Sequence, residues 1–315
     1  MREFLINKND KDQRLDKFVT KSAPLLPKSM MYKYIRTKRI KINGKRGEIS
    51  TRLSEGDTVQ MYINDEFFAE KPKTYEFMSA SKKLNVIYED DNIMLIDKPE
   101  GLIVHPDDRE YNDTLIFRIQ RYLYENGKYD PETENSFAPA LANRIDRNTG
   151  GIVIAAKNAE ALRILNEKIK NREIDKYYLC LVHGIIKEKE GTKTGYLIKN
   201  EDKNIVRVMK SPQPGAKEIR TKYRVIREHD DMSLLEIKLL TGRTHQIRAH
   251  MASLGHPLVG DGKYGKNNND KKLGFVHQAL YSYKLRFSFT TDSGALSYLN
   301  DREFQVNSVW FEEQF

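Results

Sequence analysis

The chain of 315 residues contains a single cysteine, Cys180. One cysteine excludes an intramolecular disulfide framework and a zinc cluster held by several thiolates. No apolar run in the sequence approaches the roughly 20 residues that a membrane-spanning helix needs. The N-terminal segment is too charged for a secretory signal peptide, whose apolar stretch follows its basic start directly. The sequence therefore predicts a cytoplasmic protein without structural metal.

Positive charge is concentrated near the N-terminus. Residues 1–63 contain 15 Lys and Arg against 7 Asp and Glu, whereas the other 252 residues contain 39 against 38. A basic segment attached to a nearly neutral body is typical of a polyanion-binding module. Membrane binding would suit the same charge, but the segment lacks an apolar helix face that would lie in lipid. A lysine-rich proteome would explain abundant lysine but not this asymmetry.

Residues 12–63 are predicted to form a small unit of two helices and several short strands. The first helix begins near Leu15 with an apolar face at helical spacing. Ser29 is the predicted N-cap of a second helix over 30–37. An alternating run that begins at Ile40 leads into Asn-Gly, which is a hairpin signal. A further turn and an alternating strand complete the unit.

This segment resembles the αL RNA-binding fold that a small-subunit ribosomal protein shares with several RNA-modifying enzymes. The similar elements are Arg-Leu-Asp-Lys-Phe in the first helix, the second helix, the Lys-Ile-Asn-Gly-Lys hairpin and Glu-Gly-Asp-Thr-Val. The resemblance implies that basic residues at the junction of helix and hairpin face phosphate. These residues are Lys33, Arg36, Lys38, Arg39 and Lys41. A run of charges is more commonly a solvated face, but this one coincides with the junction.

The regular pattern is lost over residues 64–83, which are predicted to be a linker, and residues 84–315 are predicted to form a second domain. That domain opens with a hairpin, and its strands outnumber its helices without alternating with them. The expected fold class is α+β, with a mixed, largely antiparallel sheet and with helices and loops that line a central cleft. Helices are predicted over 114–124, 159–170 and 243–254, and residues 266–272 are expected to be a loop.

The densest charged cluster is formed by Arg144, Asp146 and Arg147, which precede two glycines and an apolar strand. Flanking guanidinium groups favour the ionised form of the carboxylate. Such an anion could act as a nucleophile or as a base in a desolvated pocket. On the residues alone, a structural salt-bridge corner before a strand is the commoner explanation.

The segment from Asn143 to Gly151 resembles the signature His-Arg-Leu-Asp-x-x-Thr-Ser-Gly of the RluA-type pseudouridine synthases, which act on ribosomal and transfer RNA. The resemblance implies that Asp146 attacks or deprotonates the target nucleoside. It also implies that Arg144 enters the space that the flipped base leaves. Two positions depart from the signature: Asn143 replaces the usual His, and Gly150 replaces the usual Ser. These departures affect the choice of the nearest subfamily more than the implied reaction.

Further motifs occur in the family's order. A Lys-Pro-Glu-Gly segment precedes the signature, and the strand that begins at Lys176 resembles Lys-x-Tyr-x-Ala-Leu-Val-x-Gly. The resemblance implies that Tyr178 packs against the target base and assists proton removal, whereas Tyr177 faces the opposite side of the strand. The segment Thr-Gly-Arg-Thr-His-Gln-Ile-Arg also matches the family closely. Its last residue, Arg248, is implied to be the basic partner of Asp146.

The resemblance also implies that other residues of the signature and of the Thr-Gly-Arg motif contact substrate. They are Arg147, Thr149, Arg243, His245 and Gln246. The implied partner is structured RNA. The resemblance favours ribosomal RNA as the substrate, because an αL unit precedes the catalytic domain in the family members that act on it. Transfer RNA is the alternative substrate. Isomerisation needs neither redox change nor energy input, so no cofactor is expected. No DNA or membrane partner is expected, and the expected state is a monomer.

Two further patterns are weaker signals, and two other functions stay open. Residues 260–265 match Gly-x-Gly-x-x-Gly, but they precede a polar loop instead of opening a helix. His245, His250 and His256 lack the spacing and the companion residues of a metal site. The first alternative is a non-catalytic RNA-binding ribosome-assembly factor that keeps the fold. The second is a glycosidase, in which Asp146 would need a second carboxylate.

Overall fold

The structure is a computed structural model that describes residues 1–69, 74–108, 110–200 and 205–315. Within these ranges, a four-stranded sheet organises the N-terminal unit (residues 2–68), and an eleven-stranded sheet organises the C-terminal unit (from residue 74 onwards). Both sheets are accompanied by helices, which confirms the predicted α+β class. None of the helices in these ranges combines the length and the apolar character needed to cross a membrane.

The N-terminal unit packs two helices against its sheet. Its elements are β1 (Arg2–Leu5), α1 (Leu15–Ser22), α2 (Lys28–Arg36), β2 (Ile40–Ile42), β3 (Lys45–Arg46) and β4 (Thr58–Met61). The strands lie in the order β1-β4-β2-β3, and each pair is antiparallel. Between β2 and β3, Asn43 and Gly44 have φ angles of 50° and 74°. Positive φ at both positions is what the tight Asn-Gly hairpin turn requires, so the predicted hairpin is confirmed.

The second helix begins earlier than predicted. It starts at Lys28, and Pro27 occupies the N-cap position, so the prediction of Ser29 as the N-cap is wrong. The carbonyl of Pro27 accepts a hydrogen bond from the backbone N–H of Met31 at 2.9 Å. Proline is tolerated there because the first N–H groups of a helix have no partner within the helix.

The core of the N-terminal unit is wider than the predicted interval 12–63. Leu15 and Phe18 of α1 are buried in it, as their helical spacing predicts. The same core includes Ile6 and Phe68, which lie on either side of that interval. Chain on both sides of the predicted interval therefore packs with the N-terminal unit.

The C-terminal unit is built on a mixed sheet. Its elements are β5 (Val86–Glu89), β6 (Ile93–Lys98), α3 (Leu115–Glu125), β7 (Ala140–Leu141), β8 (Gly150–Ala156), α4 (Ala159–Lys170), β9 (Ile174–His183), β10 (Glu190–Asn200), β11 (Ile205–Met209), β12 (Lys217–His229), β13 (Met232–Leu239), α5 (Gln246–Ser253), α6 (Asn268–Lys272), β14 (Leu280–Phe287), β15 (Glu303–Gln305) and α7 (Trp310–Gln314). The strand order is β11-β10-β12-β13-β9-β14-β8-β6-β5, with β15 beside β14 and β7 beside β8. In the described part of the chain, β14 and β8 pair in parallel and the other pairs are antiparallel, which confirms the predicted mixed, largely antiparallel sheet.

Two local predictions for the C-terminal unit need correction. The helix predicted over 243–254 begins only at Gln246, because the residues before it form a loop that ends in a left-handed His245 with φ of 51°. The segment 266–272, predicted to be a loop, contains α6, in which Asp270 is buried. The strands β10 and β11 were not predicted; in β10, polar residues and two glycines weaken the alternation that marks a strand.

The central strands of the large sheet separate two apolar cores. Leu179 and Leu181 of β9 belong to the core that α4 covers. Tyr178 and Cys180 belong to the other core, which also receives α3 and α5. Successive side chains of a strand point to opposite faces, so β9 contributes to both. We call the face that carries Tyr178 and Cys180 the site face.

Part of the predicted linker over 64–83 is folded onto the C-terminal unit. Residues Glu76–Ser79 form a turn of 3-10 helix, and the ring of Phe77 lies 5.6 Å from that of Tyr124 in α3. Residues 70–73 of the predicted linker lie outside the described residues.

The two units contact each other through a polar junction. Asp10 is buried, and its carboxylate accepts hydrogen bonds from Asn135 Nδ2 and Ser136 Oγ, both at 2.6 Å. Asn9 Nδ2 donates to Glu134 Oε1 at 2.6 Å. Because a buried carboxylate is stable only with such partners, these hydrogen bonds of Asp10 stabilise the contact between the two units.

Candidate active site

Asp146 lies in the loop that leads from β7 into β8. Its backbone carbonyl accepts a hydrogen bond from the N–H of Thr149 at 3.1 Å, which closes a tight turn. The following strand, β8, is buried along its whole length. The side chain of Asp146 is 28% exposed. A rigid strand therefore presents a carboxylate that a ligand can still reach.

Arg248 is the charged partner of Asp146. It lies in α5, and its Nη1 stands 3.2 Å from Asp146 Oδ2. The buried carboxylate of Asp261 accepts from Nε of the same guanidinium at 2.7 Å and from Nη2 at 2.9 Å. A planar guanidinium that is bound along one edge cannot rotate freely. Asp261 therefore aims the remaining donor of Arg248 at Asp146.

His245 approaches the same carboxylate from another direction. Its Nε2 lies 3.8 Å from Asp146 Oδ2, and its Nδ1 lies 2.8 Å from the Tyr264 hydroxyl. That hydroxyl accepts a hydrogen bond from the backbone N–H of Val206 at 3.0 Å. The proton of the hydroxyl is free to be donated to Nδ1, which puts the ring proton of His245 on Nε2, toward Asp146. Burial lowers the pKa of His245, so the imidazole is neutral at neutral pH.

Tyr178 and Tyr177 point to opposite faces of β9. Tyr178 is buried in the core of the site face, whereas Lys238 Nζ and Lys284 Nζ lie 5.4 and 4.5 Å from the Tyr177 ring on the other face. The predicted alternation of the two tyrosines is confirmed. Burial raises the pKa of Tyr178 to about 12, and the negative charge of Asp146 adds to the shift. The phenol of Tyr178 is therefore protonated at neutral pH.

Three arginines of the predicted site are exposed: Arg144, Arg147 and Arg243. Arg147 Nε donates to the carbonyl of Gly101 at 3.0 Å. The guanidinium groups of Arg144 and Arg243 have no hydrogen-bond or ion-pair partner in the part of the chain that the structure describes. A guanidinium in this state can stack on a base or bind a phosphate.

Two family models match the chain. The model described as RNA pseudouridylate synthase matches residues 92–253, and the S4 domain model matches residues 13–59. The first match spans just over half of the chain and includes Asp146, Tyr178 and Arg248.

The chain belongs to the RNA pseudouridylate synthase family.

The protein is thus an isomerase that converts uridine to pseudouridine in RNA, and it carries an RNA-binding S4 domain. It is 37% identical over 294 residues to an uncharacterised RNA pseudouridine synthase of Mycoplasma genitalium, across 90% of this chain and 88% of the relative. It is 30% identical over 310 residues to ribosomal large subunit pseudouridine synthase C of Vibrio parahaemolyticus, across 94% and 89%. Human RNA pseudouridylate synthase domain containing 4 shares the fold, with a TM-score of 0.56 and 19% identity over 72% of this chain and 89% of that chain.

Two residues that were predicted to bind substrate lie inside the synthase. Gln246 is 2% exposed, and its Oε1 accepts from the Thr241 hydroxyl at 2.8 Å. Thr149 is also 2% exposed, and its hydroxyl accepts from Gln278 Nε2 at 3.2 Å. These positions do not support direct contact with substrate. The two residues hold the loops on either side of the carboxylate instead.

Lys98 has a structural role in the synthase that sequence analysis missed. It is fully buried, and its Nζ donates to the carbonyls of Pro99, Leu102 and Arg147 at 2.9, 2.7 and 2.9 Å. Burial lowers the pKa of Lys98 to about 7, although the three carbonyls favour the ammonium form. Lys98 thereby ties the loop after β6 to the loop that carries Asp146. The available signal was a lysine placed directly between an apolar strand and a proline.

The segment 260–265, which matches a dinucleotide fingerprint, supports Arg248 instead. It carries Asp261, whose Oδ1 accepts from the backbone N–H groups of Lys263 and Tyr264 at 2.9 and 3.2 Å. The Arg248 guanidinium lies 5.3 Å from the centre of the Tyr264 ring. The sequence pattern does not connect Asp261 or Tyr264 to the helix that they contact, so neither residue could be assigned a role from the sequence.

The two departures from the family signature have different surroundings. A Cβ on Gly150 would lie 2.2 Å from the ring of Tyr281, which is anchored by a hydrogen bond from its hydroxyl to Asp97 Oδ1 at 2.7 Å. The position of this ring explains the glycine. Asn143 is buried, and its Oδ1 accepts from the N–H of Ile154 at 2.8 Å. Its Nδ2 has no hydrogen-bond partner among the described residues.

The other histidines of the synthase do not converge on one point. His250 Nδ1 lies 2.9 Å from Thr221 Oγ1, and His256 Nδ1 lies 2.9 Å from the carbonyl of His183. Over the described ranges, no group of three or more His, Cys, Asp or Glu residues is placed to hold a metal ion. Cys180 is buried, and burial raises the pKa of its thiol.

The basic residues predicted to contact RNA lie at the surface of the S4 domain. The exposed members are Lys33, Arg36, Lys38 and Arg39. Lys41 is partly exposed, and its Nζ lies 5.1 Å from the centre of the Tyr62 ring. Arg39 lies 5.1 Å from the Tyr34 ring. None of the five forms an ion pair with a residue that the structure describes, so their charge is not neutralised.

Proposed function

We propose that this synthase isomerises one or a few uridines of large-subunit ribosomal RNA, with Asp146 as the catalytic residue. The observation that carries the proposal is the accessible carboxylate of Asp146, which Arg248 contacts at 3.2 Å and His245 approaches at 3.8 Å. Ribosomal RNA is supported by relatives named ribosomal large subunit pseudouridine synthase C. The protein acts in this proposal as a cytoplasmic monomer, on RNA and not on DNA.

The target base must leave its stack before Asp146 can reach the nucleoside. Extrusion costs a few kcal/mol of stacking and pairing, roughly, in a folded RNA. The exposed guanidinium of Arg144 fills the gap in the stack, because it is planar and has no partner among the described residues. Tyr178 gives the extruded base an aromatic wall.

The reaction exchanges one bond of the ribose for another. Asp146 acts on the ribose, the bond between C1′ and N1 breaks, and the freed uracil rotates within the site. C5 then bonds to C1′, the proton on C5 leaves and N1 gains a proton, so the composition of the nucleoside does not change. Because burial raises the pKa of Tyr178 to about 12, its phenol is poorly suited to accept the C5 proton. The wall is therefore the role that fits Tyr178 best.

Arg248 serves Asp146 in two ways. Its positive charge attracts the carboxylate, which it contacts at 3.2 Å. Its fixed position, set by Asp261 at 2.7 and 2.9 Å, limits the rotation of Asp146 before substrate arrives. A charge partner that needs no reorganisation during the reaction lowers the barrier more than a mobile one.

A pseudouridine map of cellular RNA tests this function. Carbodiimide labelling and primer extension are compared between cells with the gene, cells without it, and cells that carry Asp146→Asn. We expect the same one or few positions of the large ribosomal RNA to lose their label in the last two. Tyr177→Phe is the matched control, because its ring lies on the opposite face of β9, and it should keep every label.

The other outcomes of the map are equally informative. Labels that survive Asp146→Asn would show that another residue is catalytic. If no position changes in any RNA and the purified protein still binds RNA, the ribosome-assembly factor becomes the better explanation.

The S4 domain is proposed to bind RNA phosphates through its basic cluster. Replacing Lys33 and Arg36 with Gln should flatten the plot of log binding constant against log salt concentration by about 1 per lost phosphate contact. Lys193→Gln is the control, since Lys193 is paired with Glu188 at 2.6 Å. An unchanged slope in the double variant would place the phosphate contacts elsewhere.

A further inference from the structure

Two buried lysines show what an ammonium needs inside this fold. Lys98 donates to three carbonyls at 2.7 to 2.9 Å. Lys168 donates to Glu173 Oε2 at 2.9 Å and to the carbonyl of Thr291 at 2.6 Å. Both follow the rule that a cation removed from water is matched by acceptors.

Lys176 does not follow this rule. It is partly buried at the start of β9, yet its side-chain ammonium has no hydrogen bond or ion pair with any residue in the described ranges. Burial, with a contribution from the positive charge of Arg172, lowers the pKa of Lys176 to about 8. No carboxylate contributes to that shift. Lys176 is therefore a cation without an acceptor in the part of the chain that the structure describes.

The position of Lys176 connects it to the site. It precedes Tyr178 by two residues on β9, and residues two apart on a strand point to the same face, roughly 7 Å apart. Lys176 thus lies on the site face, next to the predicted wall for the base. The two residues that flank it turn away: Tyr177 packs on the opposite face, and Asp175 Oδ2 accepts from Lys238 Nζ at 2.6 Å.

Arg172 is the second cation at this point. It stands in the turn between α4 and β9 in a left-handed conformation, with φ of 65°. Its side chain is exposed and has no hydrogen-bond or ion-pair partner among the described residues. Its Nη1 lies 4.0 Å from the point that a Cβ of Gly242 would occupy. Arg172 therefore reaches the loop that carries Arg243 and His245. Arg172 thus adds a second positive charge that acts on Lys176, and neither side chain has a counter-ion among the described residues.

We propose that Arg172 and Lys176 form a subsite for one backbone phosphate of the RNA, adjacent to the target uridine. A phosphate supplies the acceptors that Lys176 lacks, and it fits the fork of Arg172 and the single charge of Lys176 together. The absence of a side chain at Gly242 lets the nucleic-acid backbone approach the loop closely. This inference rests on the proposed function, because the subsite positions the nucleotide on which Asp146 acts.

The simpler explanation of Lys176 is packing of its methylene groups, with the amine reaching solvent. This explanation predicts that the charge of Lys176 can be removed without any effect on the affinity for RNA. The subsite predicts that removing the charge of Lys176 weakens RNA binding, and that the loss comes from the contact with one particular phosphate. An experiment must therefore change the protein and the phosphate separately and together.

The test measures binding of full-length protein carrying Asp146→Asn, so that catalysis does not affect the result. The RNA is the hairpin that the pseudouridine map identifies or, if the map identifies none, a structured RNA that the protein binds. Single methylphosphonates, which remove one backbone charge each, are placed at successive positions. Lys176→Met and Arg172→Gln are compared with Lys187→Met, an exposed lysine beyond the other end of β9.

We expect Lys176→Met to raise the dissociation constant about tenfold. One methylphosphonate should weaken binding of the parent protein by a similar factor and have little further effect on Lys176→Met or Arg172→Gln. Lys176→Arg should restore most of the affinity, and unfolding curves establish that each variant is folded. Additive losses at every methylphosphonate position, or Lys176→Met binding as tightly as Lys187→Met, would overturn the subsite. Either result can be obtained whether or not Asp146 proves to be catalytic.

Discussion

The carboxylate of Asp261 binds the guanidinium of Arg248 through both of its oxygens, at 2.7 and 2.9 Å. This pairing fixes the direction of the remaining guanidinium nitrogen, Nη1, which lies 3.2 Å from Asp146 Oδ2. A loop with no predicted function therefore controls the partner of the predicted catalytic residue, although Arg248 and Asp146 are 102 positions apart in the chain.

Replacement of Asp261 should affect stability and turnover together. Asp261→Asn removes one of the two counter-charges of a largely buried guanidinium, and Asp146 remains as the other. The loss of unfolding free energy should therefore stay below the roughly 3–5 kcal/mol that an unpaired buried charge costs. Misplacement of Arg248 should lower kcat about 100-fold in the protein that remains folded. Urea unfolding and single-turnover kinetics measure the two effects. Asp65→Asn, which breaks the exposed pair with Arg2, should change neither by much, and an unchanged kcat in Asp261→Asn would contradict the assignment.

Tyr264→Phe should change the titration of His245. The substitution removes the hydroxyl that joins Val206 N–H to His245 Nδ1 at 3.0 and 2.8 Å. The neutral ring loses its donor, so the pKa of His245 should rise toward the ordinary value, and kcat at slightly acidic pH should fall by more than in the parent. NMR titration of the imidazole and a pH profile of kcat measure this. Tyr298→Phe, whose hydroxyl contacts Asp90, is the control; an unmoved His245 titration would refute the proposed tautomer.

A double-mutant experiment can test whether the ring of Tyr281 is the reason that position 150 is a glycine. Gly150→Ser should destabilise the protein by about 1–3 kcal/mol, because the new side chain overlaps a packed ring. Tyr281→Leu should remove part of this penalty. The free energy of unfolding of the double variant should therefore exceed, by at least about 0.5 kcal/mol, the value expected from adding the two single effects. Gly191→Ser is the control, since an added Cβ there meets nothing closer than 3.4 Å. Simple additivity in urea unfolding would mean that the Tyr281 ring is not the reason for Gly150.

His250 should make the stability of the protein depend on pH below neutrality. Burial lowers the pKa of His250 from 6.5 to about 4, so the unfolded chain binds a proton in this window that the folded chain does not. The stability that the neutral His250 contributes is fully present above pH 6.5 and is lost as the pH falls toward 4. The free energy of unfolding should fall by at most about 1.4 kcal/mol per pH unit for this reason. Urea unfolding across this window should show a smaller slope for His250→Gln than for the parent. The exposed His229→Gln should keep the parental slope, and equal slopes in all three proteins would contradict the shift.

Much of the local structure followed from the sequence alone. The Asn-Gly hairpin, α3, α4 and the opposite orientations of Tyr177 and Tyr178 depend on spacing within a few residues, and such spacing sets turn geometry and side-chain direction directly. The reaction class followed from ordered motifs that a single family shares. For the same reason Asp146, Tyr178 and Arg248 could be named as candidates before any contact was known.

The tertiary structure alone decided which partners these residues have. Asp261 and Tyr264 support Arg248 and His245, and Gln246 and Thr149 lie inside the protein. The ammonium of Lys176 has no acceptor among the residues that the structure describes. Each of these facts depends on how distant segments pack, and local spacing carries no information about which buried charge meets which counter-charge.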